Sequence, residues 1–242
     1  MTVLFVADLH LCSQRPDLIR AFIDFLENTA ADCEALYLLG DIFEAWIGDD
    51  YVEAELQPVL DALLNLSQSA QLYFQQGNRD FLAGIGFATA IGAQLLDEQV
   101  QIQLPSQQAL IMHGDQLCTD DLEYQKFRTM VRSEQWQQQF LSKPIDERLQ
   151  IAEYLRTQSK QQGQMKSTEI TDVNLQAVQQ VMNKFEVELL IHGHTHRPAT
   201  HKVTLEHCIG SRIVLGDWDS SLWYLRCDPL GCNLIEQKIN PE

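Results

Sequence analysis

The apolar positions fall into short unbroken runs, and five of these runs stop at residues able to bind a metal. Val3-Leu4-Phe5-Val6-Ala7 stops at Asp8-Leu9-His10, and Ala35-Leu36-Tyr37-Leu38-Leu39 stops at Gly40-Asp41. Leu72-Tyr73-Phe74 leads to Gly77-Asn78-Arg79-Asp80, and Leu110-Ile111-Met112 to His113-Gly114-Asp115. Leu189-Leu190-Ile191 ends at His192-Gly193-His194-Thr195-His196. Such brief apolar stretches predict buried strands. Between them the period changes. Leu18, Ile19, Phe22, Ile23 and Leu26 recur at helical spacing after Pro16, which predicts a helix over 17–30. Leu56, Leu60, Leu63 and Leu64 do the same over 53–66, and 173–185 is a third amphipathic stretch.

The rest of the chain fills in around these. Residues 100–104 and 109–112 read as two strands across a Pro105-Ser106 turn. Residues 122–156 are helical in composition, with a break near Lys143-Pro144. Residues 159–167 are polar, contain Gly163 and read as a mobile loop. The tail reads as strands over 202–206, 212–215, 221–226 and 233–238, the last two joined by an Asp228-Pro229-Leu230-Gly231 turn. Strand–helix–strand order with short links implies right-handed crossovers and a parallel central sheet. In such sheets ligands bind beyond the carboxyl ends of the strands.

At 242 residues and 45% hydrophobic content, the chain suits one large domain or a domain with an insertion. No run approaches the roughly 18–20 apolar residues of a membrane span. The chain opens directly on a strand-like run, so no signal peptide is expected. The six cysteines are scattered singly, without a Cys-x-x-Cys pair, and are expected to be reduced thiols of a cytosolic protein. A formal charge of −17 argues against general nucleic-acid binding. The charge is uneven, however. Residues 122–166 hold eight bases against five acids, a net of +3 inside an acidic protein. That reversal suggests a separate task for the segment: its exposed Arg128, Arg132 and Arg148 are expected to face an anionic membrane surface.

The five run ends would gather Asp8, His10, Asp41, Asn78, His113, His194 and His196 around one crevice. In Asp8-Leu9-His10 and His194-Thr195-His196, alternate residues share a face and can converge on one ion. A mixed oxygen and nitrogen set without thiolate suits Mn²⁺, with Fe²⁺, Co²⁺ or Zn²⁺ as alternatives, and argues against a structural zinc. Two ions at roughly 3.5–4 Å separation form a clamp for displacement at phosphorus. One carboxylate should bridge them, and Asp41 is the expected bridge. Asp80 and Asp115 are expected to support the site through hydrogen bonds to ligand histidines or loop amides. His192, His201 and His207 are expected to be structural, Asp49-Asp50 a solvated turn, and Trp46 a packing residue.

Taken in order, these motifs resemble the calcineurin-like metallophosphoesterase superfamily. Gly40-Asp41-Ile42-Phe43-Glu44-Ala45-Trp46-Ile47-Gly48-Asp49-Asp50, His113-Gly114-Asp115-Gln116-Leu117-Cys118-Thr119-Asp120-Asp121 and His192-Gly193-His194-Thr195-His196-Arg197-Pro198 narrow the resemblance. They are similar to the branch that cleaves a UDP-linked diacylglucosamine in lipid A assembly. The resemblance implies an α/β fold in which two mixed β-sheets are flanked by helices. It implies a core of 1–120 and 167–242 with a helical cap inserted at 121–166. It implies two Mn²⁺ ions, one on Asp8, His10, Asp41 and His196, the other on Asp41, Asn78, His113 and His194. Asp41, Asn78, Arg79 and His194 would be catalytic. Asn78, Arg79, Asp121, Ser159, Gly163, Lys166 and His194 would contact substrate, Gly163 through its backbone alone. The implied reaction is attack of activated water on the α-phosphorus, releasing UMP and a diacylglucosamine 1-phosphate. The implied setting is peripheral, on the cytoplasmic face of the inner membrane, with no obligate protein partner inferred.

Overall fold

Alternation within each strand decides the layering. In β1 (Val3–Val6), Val3 and Phe5 point one way while Leu4 and Val6 point the other. In β2 (Ala35–Leu39), Ala35, Tyr37 and Leu39 oppose Leu36 and Leu38. Both faces are apolar because both are covered, as a sheet between layers requires. The structure, a computed structural model, describes residues 2–165, 170 and 172–239, and for 160–165 the backbone alone.

Two mixed sheets stack face to face. The six-stranded sheet has the order β11-β10-β1-β2-β3-β4, with β3 at Gln71–Gln75, β4 at Ala93–Leu95, β10 at Ser221–Asp228 and β11 at Gly231–Lys238. The five-stranded sheet has the order β5-β6-β7-β9-β8, with β5 at Val100–Gln103, β6 at Gln108–Ile111, β7 at Leu189–His192, β8 at Ala199–Thr204 and β9 at Ile209–Val214. Phe5, Tyr37, Leu39, Ile111, Ile191 and Ile213 fill the space between the sheets. Tyr37 stacks there between Phe5 and Tyr73, at 4.8 and 4.5 Å. Helices α1 (Pro16–Asp24), α2 (Gln57–Leu66) and α3 (Ile85–Ala90) cover the outer face of the first sheet. Helix α7 (Leu175–Lys184) covers the second, through Val178, Val181 and Met182 against Leu110 and Leu190.

The topology brings the metal-type residues together. β1, β2 and β3 are adjacent and parallel, and so are β6, β7 and β9. Their carboxyl ends therefore open on one side. Pairing continues past the ends: the Asp8 amide donates to Gly40 O at 3.1 Å, His10 to Asp41 O at 3.0 Å, and Gly193 to His113 O at 2.8 Å.

Between β6 and α7 the chain forms α4 (Leu122–Val131), α5 (Glu134–Leu141) and α6 (Ile145–Met165). The break between α4 and α5, at Arg132-Ser133, gives no proline signal; Ser133 caps the second helix by accepting from Trp136 N. The expected loop over 159–167 is instead helix through Met165. A single Gly costs a helix only about 1 kcal/mol relative to Ala, and the surrounding Gln, Lys and Met are good helix formers. Gly163 thus lies in the last turns of α6, and Lys166 lies outside the described residues. Two short elements, α3 and β4, escape sequence reading because three glycines in 84–92 look like loop punctuation.

The cysteine expectation needs correction. The β10–β11 hairpin places Cys227 opposite Cys232, and their sulfurs are bonded, with Cα atoms 4.1 Å apart. The four-residue turn brings into register two cysteines that look unrelated in sequence.

Candidate metal centre and substrate cleft

The loops that carry the ligand-type residues are conformationally unusual. Six non-glycine residues among those described have positive φ, and five of them are Asp8, His10, Asp41, His194 and His196. A left-handed residue other than Gly, Asn or Asp is uncommon and is held only where its surroundings impose it. Glycine makes room for this packing. A Cβ on Gly77 would overlap the Asp41 backbone and carboxylate, and one on Gly193 would overlap Asp8 Oδ2.

The residues converge as two groups that share Asp8: Asp8 with His10 and His196, and Asp8 with Asp41 and His113. In the first, His10 Nε2 lies 3.2 Å from His196 Nε2, and His196 Nε2 lies 3.5 Å from Asp8 Oδ1. Asp8 Oδ2 accepts the His194 amide at 2.8 Å, while buried Asp8 Oδ1 has no hydrogen-bond partner. In the second, His113 Nδ1 sits 2.8 Å from Leu39 O, which places its proton on Nδ1. His113 Nε2 then faces Asn78 Oδ1 at 3.0 Å, and His194 Nδ1 faces the same oxygen at 2.7 Å. Asp41 Oδ1 accepts the Arg79 amide at 2.7 Å and lies 3.7 Å from His113 Nε2.

This donor set fits a pair of borderline divalent cations. Lone pairs face lone pairs, and an orphaned carboxylate oxygen points among them, so positive charge is what the cluster lacks. The titration directions agree. Burial opposes a charge on His196, yet Asp8 and Asp217 push it up to about 10. Burial and the charge of His113 bring His194 down to about 4. Burial opposes ionisation of Asp8 as well, yet the surrounding imidazoles hold it well below the usual carboxylate range.

Asp80 supports the site as expected, through loop amides: it accepts Asp41 N at 3.1 Å, Gly77 N at 2.7 Å and Ile42 N at 2.8 Å. Burial, with Asp41 beside it, raises Asp80 to about 6. Asp115 does something different. It accepts Arg128 Nε at 2.8 Å and the Tyr124 hydroxyl at 3.0 Å, tying α4 to the strand end. His192 is structural, wedged beside Gly114, with Nδ1 near Gly193 O and Nε2 near Arg212. Asp49 and Asp50 lie in an exposed turn, as expected, yet both make specific bonds. Asp49 receives Gly84 N at the start of α3 and Trp46 Nε1, and Asp50 binds Arg148 through both oxygens. Trp46 is buried against Phe43 and Phe87.

Arg128, Arg132 and Arg148, expected to be exposed, are instead engaged by acids of the core. Arg148 is 2% exposed. Arg128 and Arg132 both reach Glu98, at 2.6 and 2.8 Å, and Arg156 reaches Glu44 at 2.9 Å. These arginines pin α4 and α6 to the core.

A cleft of about 730 Å³ lies between the ligand cluster and α4–α6. Its floor includes His10, Asp41, Asn78, Arg79, His194 and His196, and its walls include Phe127, Met130, Trp136, Phe140 and Leu155. Asp121 and Ser159 line it too, so all the described residues expected to touch substrate by a side chain meet there. Sequence reading missed Glu44, Tyr124, Arg156 and Asp217. Asp217 had a signal: the apolar run into Leu215 ends at Gly216-Asp217, the pattern of Gly40-Asp41 over again.

The fold and the cluster define a metallophosphoesterase. Residues 1–198 match the calcineurin-like phosphoesterase family, and the chain belongs to it. Its relatives include proteins named UDP-2,3-diacylglucosamine hydrolase. That of Chromohalobacter salexigens is 52% identical over 219 residues, covering 90% of this chain and 89% of its own. That of Tolumonas auensis is 48% identical over 242 residues, covering 99% and 98%. That of Pseudomonas putida is 46% identical over 235 residues, covering 96% and 97%. Among solved structures, an archaeal phosphodiesterase aligns over 98% of this chain and 100% of its own, at 12% identity and a TM-score of 0.48.

Proposed function

We propose that the chain hydrolyses the pyrophosphate bond of UDP-2,3-diacylglucosamine, giving UMP and 2,3-diacylglucosamine 1-phosphate. The observation that carries this reading is the composition of one cleft, where a floor of carboxylates, imidazoles and Arg79 meets apolar walls on α4–α6. A diphosphate bearing acyl chains needs both, and relatives 46–52% identical over nearly their whole length carry that substrate in their names.

Asp8, His10, Asp41 and His196 would hold one Mn²⁺, and Asp41, Asn78, His113 and His194 the other. When bound, the two ions supply Lewis acidity that activates a water and neutralises the phosphoryl oxygens. Arg79 and Asn78, at the floor, orient the diphosphate and stabilise charge as it develops. The lipid sugar phosphate leaves as a stable anion, so no strong acid need protonate it. Asp121 and Ser159 face the cleft where the sugar would lie, with Gly163 and Lys166 assigned to the same task. Tyr124, its ring 5.7 Å from that of His194 and its hydroxyl on Asp115, lines the polar end of the cleft.

The reading places the protein peripherally on the cytoplasmic face of the inner membrane. With the arginines engaged by core acids, membrane contact falls to exposed apolar residues on α4 and α6, Leu122, Met130 and Tyr154.

Incubating the protein with UDP-2,3-diacylglucosamine and Mn²⁺ in ¹⁸O-labelled water, with mass analysis of products, tests the assignment. Turnover is expected to stop on chelation, return with Mn²⁺, and place the label in UMP. Label in the sugar phosphate would reverse the substrate's orientation. Full turnover in excess chelator after dialysis would end the two-ion reading.

A further inference from the structure

Two acids outside the expected ligand set stand behind the first group of ligands. Glu44 Oε2 lies 3.1 Å from His10 Nδ1, and Asp217 Oδ2 lies 3.5 Å from His196 Nδ1. Both are ion-pair distances rather than linear hydrogen bonds. On the inner side of the same rings, the two Nε2 atoms approach to 3.2 Å. Each imidazole is thus sandwiched between a carboxylate at Nδ1 and a shared focus at Nε2.

The second group is backed differently. The outer nitrogen of His113, Nδ1, meets a neutral main-chain carbonyl, that of Leu39, where His10 and His196 meet carboxylates. The two halves of the site therefore sit in unequal fields. A carboxylate on the outer nitrogen fixes the imidazole tautomer, orients the ring and raises the basicity of the inner nitrogen, and removing such a partner typically costs about 10–100-fold in metal affinity. The topology explains how Asp217 arrives there. β9 runs parallel to β7, so its carboxyl end opens on the same crevice, and Leu215-Gly216-Asp217 turns into it.

We infer that Glu44 and Asp217 are positioning residues that hold His10 and His196 as Nδ1–H tautomers, aiming both Nε2 lone pairs at one ion. The inference rests on the two-ion reading above and goes beyond it by making the two ions unequal. Glu44 extends the arrangement outward, since its other oxygen binds Arg156 of α6 at 2.9 Å.

The test is direct Mn²⁺ binding to the full chain without substrate, by equilibrium dialysis and calorimetry. It compares the wild type with Glu44→Gln, Asp217→Asn and the double variant. Circular dichroism and melting of each metal-stripped variant monitor the fold. The expected result is two ions on the wild type and, on the variants, one ion weakened about 10–100-fold with the other unchanged. Glu44→Asp and Asp217→Glu, which keep the charge, should recover part of the loss. Unchanged affinity for both ions in a folded double variant overturns the inference, as does equal weakening of both. A folded wild type that binds no ion would instead overturn the two-ion reading, and this inference with it. Should Asp217→Asn fail to fold, Glu44→Gln alone decides, because Glu44 lies on the cleft wall.

Discussion

Replacing Asp41 by Asn is expected to lower turnover by at least about 10–100-fold, the range seen for groups that merely support a ligand. Asn preserves the volume of the side chain and tolerates the left-handed backbone that Asp41 adopts. It can still accept the Arg79 amide, now 2.7 Å from Oδ1. The loss would therefore report the missing charge rather than a collapsed loop. Asp8→Asn is the necessary companion, because Asp8 belongs to both groups of converging ligands. The variant that loses both ions in a Mn²⁺ titration contains the bridging carboxylate. Near-normal turnover in Asp41→Asn with two ions bound would assign the bridge to Asp8.

The second large effect is expected at Arg148. Its guanidinium donates to Ile47 O at 2.8 Å and to both Asp50 oxygens, from a position 2% exposed. Arg148→Glu would set a carboxylate against Asp50 and an unsatisfied carbonyl. Breaking a fully buried pair costs about 3–5 kcal/mol. Asp50 is 61% exposed, so solvent screening reduces the expected cost to about 2 kcal/mol. For a chain of this size that is a fall in Tm of roughly 4–8 °C. Lys126→Glu is the contrast. Lys126 is 74% exposed and, among the described residues, bonds only to Glu123 of its own helix, so its reversal should stay within about 0.5 kcal/mol. Equal Tm values for the two variants would mean that Arg148 does not anchor α6.

These arginines mark where sequence reading stops. A count of charges in 122–166 is correct as a count, but the acids that meet them, Glu44, Asp50, Glu98 and Asp115, lie earlier in the chain. Nothing local in the sequence announces those pairings. The strands and the seven ligand-type residues were legible for the opposite reason. Each sits where an apolar run stops, and parallel pairing turns a shared position along the run into a shared place in space. Asp217 obeyed the same rule and was passed over only because its run lies in a tail that otherwise reads as plain hairpins. Glu44 carried no such mark: it lies within an aromatic loop and acts through the outer edge of a histidine.

The left-handed backbone at Asp8, His10, Asp41, His194 and His196 changes what a mutational survey of this site would measure. Alanine at any of these positions removes a donor and also asks a β-carbon without polar compensation to hold a conformation costing about 1–3 kcal/mol. An alanine scan would then read loop relaxation and lost ligation as a single number and rank the residues wrongly. Asparagine, which visits that region readily, separates the two quantities. At His10, His194 and His196 it is the replacement that keeps backbone strain out of the measured loss, and the gap between the Asn and Ala variants is a measure of how firmly the surrounding sheets enforce the turn.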